Sequence, residues 1–356
     1  MSSFPLTILA GKTAAEKLAE RGWAPDIFST LIGASGGAKM LGLVHLDRFL
    51  FSDYLQRSDH PMELYGSSIG SWRNAALAAP SPLASLTKLQ DLYLNQIWVE
   101  NDPRAAGEIV DELCHQVIEG YCDDKLISHL CHHARFTTHI VTSRGLGLNS
   151  NERGLALGAG MGLSAIGNML DRRLLSKGFQ RVVFSSGLSR SFQFRDFDTL
   201  HVPLVADNLK PALIASGSIP FLMSGQGNVP GAPIGQYWDG GVIDYHFDLD
   251  NYVDNGLILY PHFTDRVIKG WFDKMLGWRQ DQTSLMDRVV LLAPSASYLD
   301  RLPLKKIPDR GDFKKMSQAE RIEYWSACVD ASTALAEGFE SVLSESDPLK
   351  RVTIVT

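Results

Sequence analysis

The sequence predicts an α/β protein, on three observations. Short apolar runs of strand length alternate along the chain with longer stretches that read as helices. Two of those runs end in glycine-rich turns that lead straight into a helix, at Gly33-Ala-Ser-Gly-Gly37 and at Gly66-Ser-Ser-Ile-Gly70. The hydrophobic share of 45% is enough for a substantial core and lies well outside the disordered class. A length of 356 residues accommodates one large α/β domain, or such a domain with a helical insertion.

Taken in order, Lys12 to Arg21 has the charge pattern of a surface helix. The Gly11-Lys12-Thr13 triplet is not a phosphate-binding loop, because Leu6 stands where its first glycine belongs. The first residues lack the basic, apolar and small-residue succession of a secretory leader, so none is expected. Phe28 to Gly33 reads as a strand, and the helix after Lys39 should place Leu41, Val44, His45 and Phe49 on its apolar side. A second strand starts at Met62 and runs into the turn at Gly66. Residues 84–134 read as mostly helical and polar-faced. His115, His129, His132 and His133 gather there with three cysteines, but in no standard zinc-ligand spacing, so solvated helix positions are expected instead of a metal site.

Phe136 to Thr142 and Arg181 to Ser185 alternate like strands. Gly154 to Leu170 between them is uncharged and glycine-rich, and slightly short for a membrane span. With Asn168 inside it and Arg153 and Asp171 at its ends, it is expected to be a close-packed buried helix or the wall of an acyl pocket. The acidic run Asp244, Asp248, Asp250, Asp254 does not fit a calcium loop, since Tyr252 and Leu259 fall at ligand positions, and a solvated loop is expected. Asn255 to Pro261 and Arg288 to Ala293 are further strand candidates. Lys269 to Arg279 can align Trp271, Phe272, Met275, Leu276 and Trp278 on one helical side, as an interfacial segment or, the preferred reading, as a stripe packed on the core. Residues 313–345 form a helical C-terminal region, and Val352 to Val355 a last edge strand. No repeat or low-complexity linker marks a boundary, so residues 1–356 are read as one domain with a helical insertion at about 84–134.

Composition removes some functions. A formal charge of −6 argues against nucleic acid as a partner, because phosphate neutralisation needs concentrated Lys and Arg. Cys114, Cys122, Cys131 and Cys328 form no Cys-x-x-Cys pair, so neither a disulfide framework nor an oxidising compartment is expected. A cytoplasmic location, peripheral at a membrane surface, is the corresponding expectation.

The chemistry concentrates at three turns. Gly66-Ser-Ser-Ile-Gly70 has the pattern of a nucleophile elbow, in which the turn is so tight that residues on either side of the serine must be small. Ser68 would stand at the N-terminus of the next helix, where free N–H groups and the helix dipole favour developing negative charge. A serine turn that merely caps a helix has the same pattern. Gly33-Ala-Ser35-Gly-Gly37 matches it too, which makes Ser35 a rival nucleophile, although the doubled glycine and Lys39 suit a loop that offers bare N–H groups to an anion. Asp239-Gly240-Gly241 follows an aromatic strand and presents a carboxylate on a tight turn, a weak signal alone because Asp-Gly is a common turn dipeptide.

Together, Ser35-Gly-Gly-Ala-Lys39, Gly66-Ser-Ser-Ile-Gly70 and Asp239-Gly-Gly241 resemble the patatin-like phospholipase family, as does the Ala215-Ser-x-x-Ile-Pro220 block before the aspartate. The resemblance is strongest over about 28–80 and 205–250. It implies a three-layer α/β/α fold with a central, mostly parallel sheet and extra helical segments. It implies a lipid acyl hydrolase of the phospholipase A or lysophospholipase kind, with a lipid or acyl ester as substrate and no cofactor. Ser68 would be the nucleophile and Asp239 its base, a dyad without histidine. Gly36, Gly37 and Ala38 would form the oxyanion loop, supported by Lys39, while Gly66, Gly70, Gly240 and Gly241 shape the two turns. Lys39 stands where the family usually has arginine, Met40 where it has glycine, and Tyr245 and Phe247 where an Asn and a Pro commonly follow. The competing readings are an α/β-hydrolase with a Ser68-Asp239-His262 triad, and an inactive lipid-binding protein on the same fold.

Overall fold

A computed structural model of the protein describes residues 4–99, 102–279 and 286–355. The chain opens with strand β1 (Leu6–Ala10), helix α1 (Lys12–Arg21) and strand β2 (Phe28–Gly33), followed by helix α2 (Val44–Ser52). Strand β3 (Met62–Ser67) leads into α3 (Ile69–Leu77), and then come α4 (Pro82–Leu94), α5 (Ala106–Tyr121) and α6 (Asp124–Cys131). Strand β4 (Phe136–Gly145) and α7 (Gly154–Leu170) precede β5 (Phe179–Ser185), β6 (Thr199–Pro203) and α8 (Ala206–Gly217). The short strands β7 (Gln226–Gly227) and β8 (Gln236–Asp239) are followed by β9 (Leu257–Pro261) and β10 (Val289–Pro294). Four helices, α9 (Ala296–Leu299), α10 (Asp312–Lys315), α11 (Gln318–Ala331) and α12 (Thr333–Leu343), precede the last strand, β11 (Val352–Ile354).

The strands form one sheet in the order β11-β1-β10-β9-β2-β3-β4-β5-β6, with β8 pairing with β4 and β7 with β8. The run β10-β9-β2-β3-β4 is parallel throughout. Every residue of β3, β9 and β10 is buried. A strand buried on both sides needs cover on both, so helices flank the sheet in a three-layer arrangement. The parallel register sets Gly33 opposite Gly66, so the loops leaving β2 and β3 emerge side by side. Local chemistry marks the helix ends: Asp123 accepts the Leu126 N–H at 2.9 Å, and the Ser317 N–H donates to Glu320 in a capping box. The C-terminal helix closes the core, with Phe339 of α12 edge-on to Trp23, Phe49 and Tyr54 at 5.2–6.2 Å.

Several expectations need correction. Gly37–Leu43 is a short 3-10 helix, and α2 starts only at Val44. Its buried face is Val44, Leu46, Asp47, Leu50 and Phe51, because Arg73 supplies Asp47 with a partner inside, while His45 and Phe49 are only half-buried. Gly154 to Leu170 is the helix expected, but not a close-packed buried one: Leu157, Gly160, Met161, Ser164 and Asn168 face inward and the opposite side is exposed. Lys269 to Arg279 makes two short 3-10 turns, Trp271–Met275 and Gly277–Arg279, and its apolar stripe divides. Trp271 and Phe272 pack inward and Leu276 is buried, while Met275 and Trp278 are exposed. The acidic run is not a solvated loop either: Asp244 and Asp248 are buried and paired with Arg181 and Lys269 at 2.6 Å each. Strands β1 and β6 and the last three residues of β4 were not expected.

Candidate active site

The elbow forms where β3 meets α3. Ser68 stands between them at φ 55° and ψ −134°, a backbone state that non-glycine residues rarely adopt. Such a conformation lifts the serine clear of both strand and helix. Gly70 is required by close approach, since a Cβ there would stand 1.9 Å from the Gly33 carbonyl oxygen. Gly66 lies under the first turn of α3, where a Cβ would meet Ser71 at 2.6 Å. These contacts lock the loop after β2 against the elbow.

Asp239 is the last residue of β8 and pairs with Thr142 of β4, the strand beside β3. That register carries the carboxylate to the elbow across 171 residues of sequence, and Ser68 Oγ donates to Asp239 Oδ2 at 2.7 Å. The Gly241 N–H donates to Oδ1 at 2.6 Å, and the Asp239 backbone is held by the Ser218 carbonyl and the Ser143 hydroxyl at 2.8 and 3.0 Å. Gly240 and Gly241 form the first turn after the carboxylate, with Gly240 packed against the Val141 carbonyl. Ser68 and Asp239 are each only 7% exposed. Burial pushes the Asp239 pKa up to about 6, against the pull of the Ser68 hydroxyl, the Gly241 N–H and the charges of Lys274 and Arg310.

The loop from Gly36 to Ala38 runs beside this pair, with Gly37 in the left-handed region at φ 57°. The N–H groups of Gly36, Gly37 and Ala38 donate to no acceptor among the described residues. They open a short helix, so no earlier turn exists to receive them. Ser35 is buried at the root of this loop and bonds to the Ser67 hydroxyl and carbonyl at 2.5 and 3.1 Å, with no carboxylate as partner. Lys39 lies with Nζ 4.4 Å from the centre of the Phe263 ring, and burial lowers its pKa.

No histidine joins the pair among the described residues. His262 is fully buried and engages Thr264 through Nδ1, and His246 accepts the Ile268 N–H. His45 bonds to Ser332 and Val329 on the C-terminal side of the molecule.

Other residues at the site carry no signal of their own in the sequence. Ser216 Oγ accepts the Ser68 N–H at 2.9 Å, sits 2.9 Å from the Ser71 hydroxyl and donates to the Val141 carbonyl at 2.7 Å. It falls in the Ala-Ser-x-x-Ile-Pro block, which hinted at its position but not its task. Helices of the 84–134 stretch also reach the site: Tyr93 Oη of α4 lies 3.3 Å from where a Gly37 Cβ would stand. Cys114 of α5 is pushed up to about 12 by burial, with the Asp111 and Asp239 charges adding to the shift. Lys274 lies over the Tyr245 ring at 3.5 Å, and burial pushes its pKa down to about 7.

A mostly parallel sheet flanked by helices, with a strained serine turn bonded to a buried carboxylate, defines the class, an α/β protein. Within it, a family model described as patatin-like phospholipase matches residues 31–246, more than half of the chain, and the chain belongs to that family. The match takes in the glycine-rich loop, the elbow and Asp239, whereas Lys274 and Arg310 lie beyond it. No curated protein and no solved structure matches the chain.

Proposed function

We propose that the protein hydrolyses carboxylic esters of lipids through an acyl-enzyme on Ser68, with Asp239 as general base. The observation that carries this reading is the 2.7 Å bond from Ser68 Oγ to Asp239 Oδ2 between two largely buried residues. A serine hydroxyl is a weak nucleophile until its proton is taken, and a carboxylate raised to about 6 is a better proton acceptor than a solvated one. The Gly241 N–H holds the other oxygen, which leaves Oδ2 aimed at the hydroxyl.

In the acylation step the Ser68 proton passes to Asp239 as Oγ bonds to the ester carbonyl carbon. The carbonyl oxygen becomes an oxyanion received by the N–H groups of Gly36, Gly37 and Ala38. Collapse breaks the bond to the alcohol, which leaves with the proton from Asp239. Water then repeats the sequence in reverse role and releases the fatty acid. One oxyanion donor is typically worth ~3–4 kcal/mol in the transition state, so this loop supplies a large share of the rate. The family acts on lipids, which makes a lipid ester the substrate class and a peripheral contact with a membrane surface the natural setting.

The test is covalent labelling with an alkyl fluorophosphonate followed by peptide mapping. The adduct is expected on Ser68, absent in Ser68→Ala and retained in Ser35→Ala. An adduct on Ser35, or none in the folded wild-type protein, overturns the assignment.

A further inference from the structure

Helix α7 is inside out. Its inward stripe carries its polar side chains, with Ser164 held by Asn149 at 2.9 Å and Asn168 donating to Asp273 at 2.8 Å. Its outward face has no polar side chain: Leu155, Leu163, Ile166 and Leu170 are exposed, with glycine and alanine around them, and Leu155 reaches 95% exposure. A surface helix of a water-soluble domain ordinarily shows the opposite arrangement, since its apolar stripe is what packs. The exposed face continues past the helix end. Arg279 donates to the carbonyls of Asn168 and Met169, which seats the turn Gly277–Arg279 against the C-terminus of α7 and sets exposed Trp278 beside it.

We propose that this face of α7, extended by Trp278 and Met275, is the surface by which the protein lies on a lipid bilayer. Three observations favour a bilayer over a protein partner. Its rim is basic on balance, with exposed Arg153 before the helix, Arg173 and Lys177 in the turn after it and half-buried Arg279 at its end, against Glu152, Glu108 beside Arg153 at 3.9 Å and Asp171 paired with Arg173 at 2.6 Å. Anionic head groups complement such a rim, and an indole at the edge suits the head-group level. The helix also stands one layer from the chemistry: inward-facing Leu157 and Met161 pack with Trp238 and Val242, which flank Asp239-Gly240-Gly241. A bilayer on the outer face would therefore present lipid close to the dyad. With 17 residues the helix is among those of the described residues that are not long and apolar enough to cross a membrane, so it lies in the surface.

The inference rests on the lipid-ester reading for its purpose but is measured apart from it. The wild type and a Leu163→Glu/Ile166→Glu variant are spun with vesicles of phosphatidylcholine, with and without phosphatidylglycerol, and both are assayed on a soluble short-chain ester. Wild type should sediment with the vesicles, more strongly when phosphatidylglycerol is present. The variant should bind at least about tenfold more weakly, since apolar burial drives such docking, with soluble-ester turnover unchanged. Leu155→Glu, at a position too exposed to disturb packing, serves if the double variant does not fold, and should also weaken binding. Equal binding by variants and wild type, or no vesicle binding by wild type, overturns the proposal. So does a wild-type dimer that the variants split, because a second copy then covers the face. Failure of the wild type to hydrolyse any ester overturns the hydrolase reading and leaves the vesicle result standing by itself.

Discussion

At Ser68 two features converge that have separate causes: a strained φ of 55° made by the turn, and a hydrogen bond supplied by a residue 171 positions away. If Asp239 is the base, Asp239→Asn should lose activity nearly as completely as Ser68→Ala, because an amide cannot take the proton. His262→Ala should stay within about tenfold of wild type, the ~1.4 kcal/mol scale of local repacking. Steady-state turnover on one ester, with folding checked by circular dichroism, decides between them; a dead but folded His262→Ala would restore the triad. The base acts only when ionised, so kcat/KM should rise with pH to a plateau through an apparent pKa of about 6. The same shift has a sign for stability. Asp239 binds its proton more tightly when folded than when unfolded, so its contribution is full at low pH and is lost as pH rises through about 6. Asp239→Asn, which has no charge to bury, should be more stable than wild type at pH 8, on the order of 2–3 kcal/mol, and no more stable at pH 4. Urea denaturation at the two pH values measures this.

At the scale of elements, α3 is the part whose placement the site depends on. Arg73 reaches back to Asp47 of α2 in a bidentate pair at 2.8 and 2.6 Å, buried on both sides, and the Trp72 indole donates to the Leu213 carbonyl of α8 at 2.9 Å. Removing one partner of a buried pair leaves the other charge without compensation. Arg73→Ala should therefore cost about 3–5 kcal/mol in chemical denaturation, and Asp47→Leu/Arg73→Met should recover most of it. Equal losses in single and double variants would show that packing volume, not charge, governs the contact. Elements of this kind were legible where local periodicity and burial agree: α1, β2 and α7 begin and end where the sequence places them. The acidic run reads as a solvated loop because the arginine partner of Asp244 is 63 residues away. The exposed face of α7 is not legible because its polar side chains, Ser164 and Asn168, lie on the inward side and none marks the exterior.

Across the whole molecule, the two chain ends meet at one edge of the sheet. Strand β11 pairs in parallel with β1, the Val355 N–H donates to the Ala10 carbonyl at 2.9 Å, and the Trp23 indole donates to the Pro348 carbonyl at 3.0 Å. We propose on this ground that residues 1–356 fold as one unit, the family match at 31–246 being its central part. Unfolding followed by far-ultraviolet circular dichroism and by tryptophan fluorescence should then give coincident single transitions, and two separated transitions would divide the chain. Deleting residues 345–356 should lower the thermal midpoint by roughly 5 °C and, by baring the β1 edge, cause concentration-dependent self-association visible in light scattering.

The sequence by itself determined the fold class, the family and the three turns, because each is written in adjacent residues: alternation of apolar runs, glycines where a backbone must turn sharply, a serine at the head of a helix. Those signals are local, and local chemistry is enough to specify them. Only the tertiary structure decided which turns meet. Ser35 and Ser68 match the same pattern, yet the sheet register gives one of them Ser67 as partner and the other Asp239. Ser216 and Tyr93 reach the site from two helices, and the sequence hints at the place of Ser216 alone. The outward face of α7 is likewise a matter of which side the sheet leaves uncovered. Partners and exposure belong to pairs of distant segments, and folding assigns them when the strands align.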